Sequence, residues 1–126
     1  MKKIHIENYS DKSYYTESQY PLYPKTSFTI AGIGFYQNHL NGINENSILT
    51  MEPEPDNTYD KKAIRIMYNN NKIGYVPREP YYQLLAKNNM NKKLKVICIC
   101  KVPMKQLYGV RVMIDDTDFI MPPKKD

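Results

Sequence analysis

Two prolines placed two residues apart near the middle of the chain, Pro53 and Pro55, most constrain what it can fold into. Each lacks a backbone N–H and fixes φ, so neither a helix nor a central strand is expected to run through them. Apolar runs flank them, Ser47–Met51 before and Ala63–Met67 after. Between the runs lies Glu52-Pro-Glu-Pro-Asp-Asn-Thr-Tyr-Asp-Lys-Lys-Ala63. Asp56-Asn57 supplies turn chemistry through short side chains that bond nearby backbone. The stretch therefore reads as a shaped loop leading into a strand, with Tyr59 and Asp60 presented at the strand's mouth. Loops held on a rigid sheet are where binding residues concentrate.

The rest of the chain is punctuated in the same way. Phe28–Tyr36 is rich in β-branched and aromatic residues and reads as a strand, with Gly32 and Gly34 marking curvature, a bulge or close backbone approach. Gln37–Asn46 reads as a polar loop. Ala63–Tyr68 alternates, with Ile64 and Ile66 on one face and Arg65 and Met67 on the other. Asn69-Asn-Asn71 is a hairpin turn, because Asn tolerates positive φ, and Lys72–Val76 returns. Pro77–Pro80 opens the one clear helix, with Tyr81, Leu84 and Leu85 at helical spacing and Asn88-Asn89 to stop it. Lys92–Val102 alternates, with Val96, Cys98, Cys100 and Val102 on one face. A turn over Pro103–Leu107 leads into Tyr108–Ile114.

The sum is about six short strands with one or two short helices, a small curled, mainly β barrel rather than a βαβ fold. At 126 residues it is one domain. The barrel is expected over 26–118. An N-terminal arm over 1–25, with Lys3–Glu7 able to form an edge strand, precedes it, and a tail over 119–126 follows.

Composition narrows the function classes. The net charge is +5 and the pI about 9.1, which permits a polyanionic partner. Twelve tyrosines, three phenylalanines and no tryptophan offer flat faces for stacking. No apolar run is long enough to span a membrane, and Met1–Ser10 has no secretory core, so a cytoplasmic or nucleoid- or nucleus-associated protein is expected. Cys98-Ile-Cys100 could be half a metal site, but no second Cys or His pair stands at ligand spacing, so reduced thiols are expected. No phosphate-binding glycine loop, His-Glu-x-x-His or Gly-x-Ser-x-Gly occurs. No enzyme, cofactor or metal is therefore expected; a nuclease built on Asp60 alone is the weaker alternative. Binding fares better. Phe35, Tyr36, Tyr59, Lys61, Lys62, Arg65, Tyr75 and Arg78 interleave aromatic and basic groups around the central hairpin, as a single-stranded nucleic acid requires.

Three segments in order carry a family resemblance: Ala31-Gly-Ile-Gly-Phe-Tyr36, Glu54-Pro-Asp-Asn-Thr-Tyr-Asp-Lys-Lys-Ala-Ile-Arg-Ile66 and Lys72-Ile-Gly-Tyr-Val-Pro-Arg-Glu79. Over about residues 27–115 the chain resembles a HIRAN domain, as a stand-alone copy. The resemblance implies an OB-like β-barrel that captures the 3′ end of single-stranded DNA, as in fork-remodelling Swi/Snf-type helicases. On that likeness Tyr59 stacks on a base and Asp60 reads the terminal 3′-hydroxyl. Phe35 is a stacking aromatic on the first strand, Asn57 and Arg78 face the DNA backbone, and Tyr108 lies near a further aromatic from the last hairpin. Gly34 stands where the helicase versions carry a basic residue, which removes one phosphate contact. A different function on the same barrel is a protein-interaction module, for example a phage or mobile-element factor that binds a host nucleic-acid enzyme.

Overall fold

The computed structural model describes residues 23–102, 107–115 and 122. The expected arm and edge strand before residue 23, the turn over 103–106 and most of the tail lie outside them. The architecture is mainly β. Six antiparallel strands, β1 (Ser27–Thr29), β2 (Ile48–Pro53), β3 (Ile64–Tyr68), β4 (Asn71–Tyr75), β5 (Leu94–Val102) and β6 (Leu107–Ile114), form one curled sheet in the order β1-β6-β5-β2-β3-β4. A 3₁₀ segment, Ile33–His39, and helix α1, Pro80–Asn88, complete the fold. No helix among the described residues is long and apolar enough to cross a membrane.

One contact turns the curled sheet into a half-barrel. Beyond β1 the chain leaves β6 after the Ile30 N–H bonds the Val110 carbonyl, and Ala31 then meets Tyr75 of β4. Two reciprocal N–H···O bonds of 2.8 Å join these residues and so tie the first edge of the sheet to the last. The crossing leaves no room for a side chain at Gly74. A Cβ there would stand 2.6 Å from the Ala31 carbonyl oxygen and 2.4 Å from Ile30.

The strand expected over Phe28–Tyr36 is corrected by this crossing. It ends at Thr29, and Gly32, in the left-handed region at φ 71°, reverses the chain into the 3₁₀ segment. β-propensity in Ile30–Tyr36 is overridden by the turn that glycine permits. Phe35 thus lies in a helical turn and Tyr36 at a kink inside the segment (φ −128°, ψ 26°), and neither is a strand residue. Of the expected Gln37–Asn46 loop, Gln37–His39 belong to the same segment. As expected, no strand runs through Pro53: it ends β2, paired with Ile64, two residues beyond the apolar run that closes at Met51. β5 pairs with β2 only at Ile48 and Leu49, so Pro53 stands where β2 has a neighbour on one side only, a place that tolerates a missing N–H.

The β3–β4 hairpin turns on Asn69 and Asn70, both at positive φ, as the three asparagines foretold. On β3, Ile64 and Ile66 are buried while Arg65 and Met67 are half-buried on the other face. Helix α1 begins on Pro80, buries Leu85 and Ala86 and stops at Asn89. Leu84, expected on the apolar side, is exposed at 37%.

A bulge at Ile97 corrects the expected phase of β5. Val96 opposes Val112 in the core, but Cys98 opposes Arg111, so both cysteines move to the Arg111 face. They are buried there as thiols, their Sγ atoms 3.2 Å apart. Tyr23 lies on the same face, its ring 4.4 Å from the Arg111 guanidinium carbon, and Arg111 also bonds Ser27 and Thr29 of β1. Burial, then a hydrogen bond with Cys98, push the Tyr23 phenol well above its ordinary range. The core itself is Phe28, Leu49, Ile66, Ile73, Leu85, Leu94, Val110, Val112 and Ile114, each essentially fully buried.

Gly74→Ala is expected to lower stability by about 3 kcal/mol or more, because the clash is with backbone at the closing bridge. Urea unfolding of the variant checks this, and the amide of Ala31 should lose its exchange protection.

Candidate nucleic-acid interface

The polar loop between β2 and β3 is built around one carboxylate. Glu54 is 7% exposed. Its Oε1 accepts from Asn57 Nδ2 at 2.8 Å and from the Tyr75 hydroxyl at 2.7 Å, and its Oε2 accepts from Lys72 Nζ at 2.8 Å. Arg65 Nη1 lies 3.7 Å from the same Oε2, while Nη2 of Arg65 bonds Glu52 at 2.6 Å. Burial alone would raise the Glu54 carboxyl, but the bonds from Lys72, Asn57 and Tyr75 outweigh it and hold the group down at about 2. Lys72 is pushed up in turn: burial opposes the shift, but bonds to Glu54, Tyr75 and Tyr36 overcome it.

Asn57 carries this order into the loop. Its Oδ1 accepts from the backbone N–H of Tyr59 at 2.8 Å and of Asp60 at 2.9 Å, and its Nδ2 also reaches the Tyr75 hydroxyl at 3.2 Å. All of its amide is engaged inside the protein. Asp60 Oδ1 accepts from the Lys62 N–H at 2.9 Å, and its Oδ2 lies 3.7 Å from Arg78 Nε. That leaves Oδ2 beside a cation but without a direct hydrogen bond to it.

A groove of about 610 Å³ opens beside the loop. The 3₁₀ segment contributes Phe35 and Tyr36, and the loop contributes Asn57, Tyr59 and Asp60. Ala31, Ala63, Tyr75 and Val76 bring the closing bridge and β4 to it, and Arg78 and Gln83 bring the approach to α1 and the helix itself. Phe35 is 87% exposed and Tyr59 is 90% exposed, although both belong to otherwise ordered segments. Large aromatics left in water on one groove mark a surface made to be covered.

Six of the eight residues expected at the site therefore line one groove. Lys61 is exposed on the loop but does not line it. Tyr108 also stands outside; its backbone is clamped to the 3₁₀ segment by Gln37, which donates to the Tyr108 carbonyl and accepts its N–H. Tyr36 is half-buried, stacked on His39 with its ring 5.5 Å from Lys72 Nζ, so it is tied into the polar cluster. Sequence reasoning missed Glu54, Lys72 and Gln83. Lys72 lies 18 residues from Glu54, and an Ile73 bulge shifts the register that would bring them together, so no local spacing announces the pair. Among the described residues no group of three or more His, Cys, Asp or Glu could hold a metal ion.

The fold and the groove define a small β half-barrel with an aromatic, carboxylate-bearing surface cleft. The HIRAN domain family model matches residues 24–98, and the chain belongs to that family. The family is associated with DNA binding. No curated protein matches the chain. The crystal structure of a protein from Lactobacillus plantarum is similar at 19% identity, over 72% of this chain and 93% of that one, with a TM-score of 0.44.

The depressed Glu54 carboxyl sets an acid limb. A lowered folded-state value contributes stability that is complete above the ordinary carboxyl value of 4.5 and is lost as pH falls towards about 2. Chemical denaturation across pH 2–7 is expected to show about 3 kcal/mol lost over that window, and Glu54→Gln should start lower and show a flatter limb.

Proposed function

We propose that the groove binds single-stranded DNA at a free 3′ end. The observation that carries this reading is the pairing of two almost fully exposed aromatics, Phe35 and Tyr59, with the Asp60 carboxylate on the lining of one groove. The aromatics supply faces for the terminal bases, and stacking is indifferent to base identity. Asp60 is acceptor-only, and its Oδ2 is free of direct hydrogen bonds within the protein's described contacts, so it suits a terminal hydroxyl and repels a terminal phosphate. Membership of a DNA-binding family supports the same direction.

Charge points to a short footprint. Lys72 and Arg65 are neutralised by Glu54 and Glu52, leaving Arg78 in the groove and Lys61 and Lys62 on the loop beside it as the exposed cations. About two to three phosphate contacts give an expected slope of log affinity on log salt between about −1.4 and about −2.1. Gly34 is exposed, and a Cβ there would meet only Leu107 at an ordinary 3.6 Å. Gly34→Arg should therefore fold normally and steepen that slope by about 0.7.

Fluorescence anisotropy with short oligonucleotides differing only in the 3′ group tests the reading. Tighter binding of the 3′-hydroxyl form is expected, and Tyr59→Ala and Asp60→Ala should each weaken it by about 1 kcal/mol or more. Equal affinity for both ends, or for blunt duplex, would sink end recognition. No oligonucleotide binding, together with one stoichiometric protein partner retained after nuclease treatment, would favour a protein-interaction surface instead.

A further inference from the structure

We propose that Glu54 is the positioning residue of this groove: buried beneath the loop, it orients the Asn57 amide and, through it, the consecutive N–H groups that set Tyr59 and Asp60. No residue from Pro55 to Lys62 is buried, so polar bonds and not packing hold the loop's shape. The direction of those bonds is decided at Glu54. An ionised carboxylate can only accept. The end of the Asn57 side chain that faces it must then be the NH₂, and Oδ1 must point to the loop, where it receives the N–H groups of Tyr59 and Asp60. The Tyr75 hydroxyl obeys the same constraint. It donates to Glu54 Oε1 and so must accept from Asn57 Nδ2 and Lys72 Nζ. A glutamine at position 54 could present either a donor or an acceptor, and the amide of Asn57 would lose its reason to keep one orientation.

Glu54 is not on the lining of the groove. Its effect on binding is indirect and falls on the geometry of the end-reading carboxylate; that part rests on the DNA-end reading above. The part concerning the loop does not. Lys72 separates the two roles of the cluster. It compensates the buried charge, yet makes no bond to the loop itself. Losing it should cost stability while leaving the Glu54–Asn57 bond in place.

The test uses the full chain and four variants: Glu54→Gln, Asn57→Ala, their double, and Lys72→Met. Two quantities are read, the backbone amide exchange of Tyr59 and Asp60 and the ratio of affinities for 3′-hydroxyl and 3′-phosphate oligonucleotides. E54Q and N57A are each expected to speed exchange at both amides about tenfold and to bring the affinity ratio towards unity, with no further change in the double. K72M should leave both readouts near those of the parent while lowering the unfolding midpoint. Parent-like amide protection in E54Q overturns the proposal, and so does a K72M variant that loosens the amides as much as E54Q does. If E54Q does not fold, Glu54→Asp keeps the charge but withdraws it by one methylene; faster exchange at both amides supports the proposal and unchanged exchange overturns it. A parent chain without end preference counts against the DNA-end reading alone, because the amides still report on Glu54.

Discussion

The pair of backbone hydrogen bonds between Ala31 and Tyr75 is the constraint on which the rest of the molecule depends. It joins the two edges of the curled sheet, and it also joins the two parts of the groove. On one side of the bridge the chain turns at Gly32 and delivers Phe35. On the other, Tyr75 sends its hydroxyl to Glu54, which organises the loop that carries Tyr59 and Asp60. Fold closure and site geometry are therefore one event. A glycine at position 74 is the condition for it, since any side chain there would occupy the space of the Ala31 carbonyl.

Electrostatics in the cleft follow from a division of labour among the acids. Buried Glu54 consumes the charge of Lys72, and Glu52 pairs with Arg65 at the surface. Asp60, partly exposed, is the acid left facing the cleft, with Arg78 near but not closed upon it. A groove that pairs several of its cations with carboxylates and exposes its aromatics is suited to recognition by shape and stacking more than to long-range attraction of a polyanion. The chain's net charge of +5 thus overstates how cationic the groove itself is.

Much of this was legible in the residues. The alternation in Ile64–Tyr68 and Val110–Ile114, the paired asparagines of the hairpin turn and the proline at the start of α1 each act through one local preference, and each came out as read. The failures share a cause. Phe28–Tyr36 looked like one strand because its side chains favour β structure, but the chain had to turn at Gly32 to make the closing bridge. Cys98 and Cys100 looked like core residues because strict alternation was assumed, and the Ile97 bulge moved them to the other face. Glu54 was hidden because two of its partners, Lys72 and Tyr75, come from β4, across a hairpin whose register is itself shifted by a bulge. Local propensity carries no record of such long-range adjustments.

The groove is held from its two sides by different forces. The 3₁₀ segment has buried apolar anchors in Ile33 and Leu40 beside its polar ties through Tyr36 and Gln37, whereas no residue of the loop from Pro55 to Lys62 is buried and a charged and hydrogen-bonded cluster anchors it. Apolar anchoring weakens on cooling, and ion-pair anchoring weakens with acid. The side bearing Phe35 is consequently the cold-sensitive half of the cleft, and the side bearing Tyr59 and Asp60 the acid-sensitive half. A single groove so built is expected to loosen first on a different side under each stress.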